Sequence, residues 1–132
     1  MKTREGSHVE VVVPAEGRLA LLVDVSGDIR SVGLSASSPA AWAEELAGLL
    51  GHSQWVTREV TCADAAVLVW SAQGSLPPVN VRVMVMLAGL GEHAWLARGP
   101  VLMTGPAGPG GIPGPVSAEV AHSLVFGYDP VV

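Results

Sequence analysis

Ser38-Pro39-Ala40-Ala41-Trp42-Ala43-Glu44-Glu45-Leu46-Ala47-Gly48-Leu49-Leu50-Gly51 is the stretch that decides how the rest of the chain is read. Ser38 can accept hydrogen bonds from the free N–H groups of a first helical turn, and Pro39 already has the backbone angle that turn needs. Gly51 can take the left-handed conformation that ends a helix. Between these signals Trp42, Leu46, Leu49 and Leu50 recur at i, i+4, i+7 and i+8, an apolar stripe with Glu44 and Glu45 pointing elsewhere. Such a stripe must be buried against something, and the flanking sequence supplies a sheet.

On the N-terminal side, residues 9–13 read Val-Glu-Val-Val-Val, a short β-branched strand, and Pro14-Ala15-Glu16-Gly17 suits a tight turn. Residues 18–25 alternate, with Leu19, Leu21, Val23 and Val25 on one face and Arg18, Ala20, Leu22 and Asp24 on the other, the period of a half-buried strand. Ser26-Gly27-Asp28 turns the chain into a third short strand at 29–32, giving a small antiparallel meander. On the C-terminal side, residues 54–61 mix Trp55, Val56, Thr57 and Val60 with Arg58 and Glu59, a strand with one wet face. Residues 65–70, Ala-Ala-Val-Leu-Val-Trp, are nearly all apolar and predict a central strand.

Residues 81–88 carry two conflicting signals. Alternation and β-branching favour a strand, whereas Asn80 is a good helix N-cap and Gly89 a good stop. Residues 100–104 predict a late strand. Nine of the eleven residues from 105 to 115 are Gly or Pro, which makes that segment a loop, without the strict third-residue glycine of collagen. Ser117 then caps a short amphipathic helix whose inner face is Val120, Ala121 and Leu124. The expected fold is α+β, a small mixed, mostly antiparallel sheet with two or three helices packed on it. Residues 1–8 are expected to be a flexible N-terminus, 9–126 one domain containing the 105–115 loop, and 127–132 a C-terminal tail.

A chain of 132 residues is the size of one domain and can bury about two thirds of the surface its unfolded form exposes. The core must be largely aliphatic, because Phe126 and Tyr128 are the only residues of their kind beside four Trp. The net charge of −5 and the scattering of Arg18, Arg30, Arg58, Arg82 and Arg98 argue against the clustered positive surface that nucleic acid requires. The longest apolar stretch, residues 79–90, contains Asn80 and Arg82 and falls short of the roughly 20 residues of a membrane span. No apolar core follows the charged N-terminus, so no export signal is read and the expected location is the cytoplasm of a bacterial host. Lys2 is the only lysine among abundant Ala, Gly, Val and Arg, a bias typical of GC-rich genomes such as those of actinobacteria and their phages.

Several strings resemble a small family of domains of unknown function carried by phages, plasmids and actinobacterial mobile elements, sometimes near antirestriction genes. They are Val-Val-Val-Pro-Ala-Glu-Gly-Arg at 11–18, Leu49-Leu50-Gly51 followed by the strand at 55–60, Gly74-Ser75-Leu76-Pro77-Pro78-Val79-Asn80, and Arg98-Gly99-Pro100-Val101-Leu102-Met103-Thr104-Gly105. Together they spread over most of residues 9–124. The resemblance implies a helix after the string ending Leu76-Pro77-Pro78-Val79-Asn80, and so tips 81–87 toward helix against its alternation. The chain departs from the family at 105–115, where Gly and Pro replace an acidic, polar segment.

Chemistry-bearing residues are sparse. His8, His52, His93 and His122 include no i, i+3 or i, i+4 pair, so no metal site and no cofactor is expected. Cys62 stands alone and reads as a small buried hydrophobe; a nucleophilic pair with His52, oriented by Asp64, is the reactive alternative. The Gly-rich loop lacks the Lys-Ser/Thr of a phosphate loop, and its prolines remove the donors an anion would need. Trp55, Trp70 and Trp95 either fill the core or, with Arg58 or Arg98, form a stacking surface. Candidate ligand or partner contacts are therefore Trp55, Arg58, Asn80, Arg82, Trp95 and Arg98. The expected function is that of a non-enzymatic accessory protein of a phage or mobile element, acting through a protein partner or self-association. The alternative is a small-ligand or nucleotide-binding module, with a counter-defence role as one use.

Overall fold

The computed structural model describes residues 9–10, 16–92 and 95–127. The expected flexible N-terminus at 1–8, most of the first strand and turn (11–15), and the tail from 128 onward lie outside the described residues. Among the described residues six strands form one sheet: β1 (Val9–Glu10), β2 (Arg18–Val23), β3 (Ile29–Leu34), β4 (Trp55–Cys62), β5 (Ala65–Ala72) and β6 (Val101–Thr104). Three helices accompany them: α1 (Pro39–Leu50), α2 (Val81–Ala88) and α3 (Ala118–Phe126). The strand order is β1-β3-β2-β6-β5-β4. This is the expected α+β architecture.

Two local hairpins, β2–β3 and β4–β5, are joined by β6, which pairs antiparallel with both β2 and β5. Met103 faces Leu21 on one side and Val69 on the other, and Leu102 faces Leu22 and Trp70. The four residues of β6 are all buried, as expected for a strand enclosed by neighbours and by helices on both faces. Two points differ from the sequence reading. β1 runs parallel to β3 rather than antiparallel to β2, so the N-terminal third is not a simple meander. The second hairpin turns on Ala63 and Asp64, both at positive φ, so Cys62 is the last strand residue.

The helices cover both faces. On one, α1 sets Trp42, Leu46 and Leu50 against Ala20, Leu22, Leu34, Trp70 and Leu102. The Trp42 and Trp70 rings meet edge-on with centroids 5.2 Å apart, a favoured geometry because a positive ring edge faces a negative ring face. On the other, α2 and α3 set Val83, Met86, Leu87, Val120, Ala121 and Leu124 against Leu21, Val23, Val69, Val101 and Met103. Alternation in β2 therefore separates two cores, not a core from solvent: Ala20 and Leu22, expected on a wetter face, are buried under α1.

Caps set the helix ends. Ser38 accepts a hydrogen bond from Ala41 N–H and Ser117 from Val120 N–H, and Gly51 closes α1 at φ +74°. In α2 the cap overrides the strand-like alternation: Asn80 Oδ1 accepts from Val83 N–H. The Gly/Pro loop is held at both ends. Gly105 N–H donates to Gly114 C=O, Gly114 N–H donates to Pro106 C=O, and a single 3₁₀ turn at Pro109–Gly111 lies between them. Arg18 reaches across to donate from Nε to Pro113 C=O and from Nη2 to Ala36 C=O, tying that loop to the segment before α1.

Candidate functional site

Helix α2 is apolar almost all round, with Arg82 as its one charged residue. Val83, Met86 and Leu87 face the sheet, which leaves Val81 and Val85, one turn apart, on the outside at 65% and 63% exposure. Phe126, at the last turn of α3, is 61% exposed, and Val25 stands out from the β2–β3 turn. These four side chains line one groove of about 660 Å³ between α2, α3 and that turn. Seven large apolar side chains are exposed among the described residues, so more than half of them gather in this one place. Isolated exposed hydrophobics are ordinary; a cluster in a concavity marks a contact surface.

Among the described residues, Arg82 is the only charged side chain lining the groove. It has no hydrogen-bond or ion-pair partner among the described residues. Ser26, Ser123 and the glycines at 27, 89 and 127 are the groove's remaining positions that are not apolar side chains. Such a set can hold apolar groups and one anionic group. It contains no base beside a nucleophile.

The other candidate residues are dispersed. Trp70 is buried, and its indole N–H donates to Thr104 Oγ1 at 2.9 Å. Trp55 packs at the edge of the α1 core, whereas Trp95 packs against the opposite core. The sheet thus separates Trp95 from Trp55 and Trp70, and the three form no common stacking surface. Arg58 lies 5.6 Å over the Trp95 ring, where the ring face attracts its charge, and pairs with Glu92 at 3.2 Å. Arg98 donates from Nη1 to the carbonyls of Pro77 (3.0 Å) and Ser75 (3.3 Å), which pins the turn before α2.

Asn80 is wholly buried. Its Nδ2 donates to Val23 C=O (3.0 Å) and Gly99 C=O (2.9 Å) while Oδ1 caps α2, so its three side-chain bonds tie the end of β2, the approach to β6 and the start of α2 to one point. Asn80 thus positions the groove-bearing helix from within, and no atom of it lines the groove.

The reactive alternative at Cys62 does not assemble. Cys62 is buried in the core at one end of β4, and burial pushes its thiol pKa up, which keeps it protonated. His52 precedes the other end of that strand, whose seven residue steps span about 23 Å. His122 is exposed on α3 and stacks on Phe126 at 4.7 Å, while His8 and His93 lie outside the described residues. No three His, Cys, Asp or Glu side chains gather among the described residues, and no helix there is long and apolar enough to cross a membrane.

Of the six sequence candidates, only Arg82 lines the groove. Val81 and Val85 escaped the sequence reading because 81–87 had no settled conformation, and Val25 because it was read on the apolar face of a strand that in fact ends at Val23; Phe126 lies outside the inner face read for the last helix. A signal was present: once 81–88 is helix, its apolar residues exceed what one sheet-facing side can use. No family model, curated protein or solved structure matches this chain.

Proposed function

We propose that this is a non-enzymatic accessory protein of a phage or mobile element that acts by binding a protein partner or by self-association, through the groove between α2 and α3. The observation that carries the reading is the convergence of Val25, Val81, Val85 and Phe126 on one concave surface. Covering such a patch removes apolar area from water at about 25 cal/mol per Å². The non-enzymatic half is supported by a buried, protonated Cys62 and by the dispersal of the candidate polar residues. The phage or mobile-element setting is supported by the strings at 11–18, 74–80 and 98–105.

Light scattering over a range of concentrations, with Val85→Glu as the groove variant, tests the reading together with binding assays. Association that Val85→Glu abolishes supports it. A strictly monomeric protein with no Val85-dependent binding of any kind refutes it.

A second reading, a small-ligand or nucleotide-binding module, has its own observation in Arg58 held over Trp95. A planar base could stack there in place of the guanidinium. Thermal shift against a nucleotide panel tests it: at a hundred times its dissociation constant a ligand adds about 2.7 kcal/mol. Trp95→Ala should erase the shift.

A further inference from the structure

We infer that the occupant of the α2/α3 groove is an amphipathic α-helix of a different protein, carrying a carboxylate that pairs with Arg82. The inference rests on the groove being a contact surface and goes on to name what fills it. Among the described residues the sole charge in the lining is positive and has no partner, so the complementary group is an anion. Around it the exposed faces of Val81, Val85 and Phe126 call for large apolar anchors at helical spacing.

Two properties of the surface separate this occupant from others. The groove is bordered by two helices and a turn, with no strand edge. An extended peptide would therefore lay its N–H and C=O groups against valine and phenylalanine side chains, whereas a helix satisfies its own. A second copy of this chain fits poorly. The exposed positions of α1 are Pro39, Ala40, Ala41, Ala43, Glu44 and Gly48, none of them a large apolar anchor, and self-matched grooves would bring two Arg82 side chains to the same interface.

The test is selection of a displayed library of amphipathic helical peptides, with positions flanking the apolar face randomised among Glu, Gln and Lys, against the full chain and its Arg82→Glu, Arg82→Gln and Val85→Glu variants. All three substitutions are outside the core, and circular dichroism and urea midpoints confirm folding. The expected result is enrichment of peptides with Glu on one flank. Binding should be lost with Val85→Glu and weakened roughly tenfold with Arg82→Glu. Replacing that Glu by Lys in the peptide should restore binding to the Arg82→Glu protein.

Peptides that depend on Val85 but are indifferent to Arg82 overturn the acidic partner and leave the groove reading standing. Dimerisation abolished by Val85→Glu, with no peptide enriched, makes the occupant a second copy and also overturns it. If nothing selected or self-associated depends on Val85, both readings fail.

Discussion

Replacing Asn80 by alanine removes one side chain that holds three segments together, and its cost can be worked from the bonds lost. The α2 cap from Oδ1 to Val83 N–H contributes about 1 kcal/mol. The two buried bonds from Nδ2 to the carbonyls of Val23 and Gly99 contribute about 0.5–1.5 kcal/mol each. The sum for Asn80→Ala is roughly 2–4 kcal/mol, a large share of the 5–15 kcal/mol typical of a domain. With a urea slope near 2 kcal/mol/M, the unfolding midpoint falls by about 1–2 M.

Asn80→Asp sharpens the test, because aspartate caps as well as asparagine but donates nothing to the two carbonyls. The introduced carboxylate, buried against two carbonyl oxygens, has its pKa raised above the unfolded value of about 3.9. Below that value both states are protonated and there is no ionisation penalty; as pH rises the unfolded state sheds its proton first, so the variant loses stability toward neutrality. Urea unfolding at several pH values should place Asn80→Asp below Asn80→Ala at pH 7 and narrow the gap in acid. If Asn80→Asp matches the parent at neutral pH, the amide's donations contribute nothing and the three-way tether is wrong.

Two further outcomes follow from local geometry. A Cβ at Gly48, exposed within α1, meets nothing within 4 Å, whereas at Gly105 it would collide with the Pro115 carbonyl oxygen. In thermal melts Gly48→Ala should gain about 0.5–1 kcal/mol and Gly105→Ala should lose more than about 2 kcal/mol; a neutral Gly105→Ala would show that the loop's close approach is not required. For Cys62, Ellman's reagent should label the native protein far more slowly than the protein in urea, at a rate set by opening of the core. Because burial raises its folded-state pKa, its contribution is complete below the unfolded value near 8.5 and is lost as pH rises beyond it. Stability should therefore fall more steeply above about pH 8.5 in the parent than in Cys62→Ala. Rapid native labelling at neutral pH would refute burial.

What the sequence determined by itself was local. Ser38, Pro39 and Gly51 set the ends of α1, Ser117 set the start of α3, and strands at 18–25, 54–61 and 65–70 were read from alternation and apolar runs between turns, within two residues of the observed ends at 18–23, 55–62 and 65–72. These signals act between neighbours in the chain, so neighbours suffice to read them. At 81–88 two local signals disagreed, and the tertiary structure decided: Asn80 can bond Val23 and Gly99 only when β2, the segment before β6 and a helical α2 are all in place. The parallel β1, the double burial of β2 and the separation of Trp55 from Trp95 were equally beyond a local reading. Each depends on which strands adjoin and which helix covers which face. The groove belongs to that class as well: Val25, Arg82 and Phe126 are far apart in sequence, and only the packing of α2 and α3 on one face of the sheet makes them neighbours.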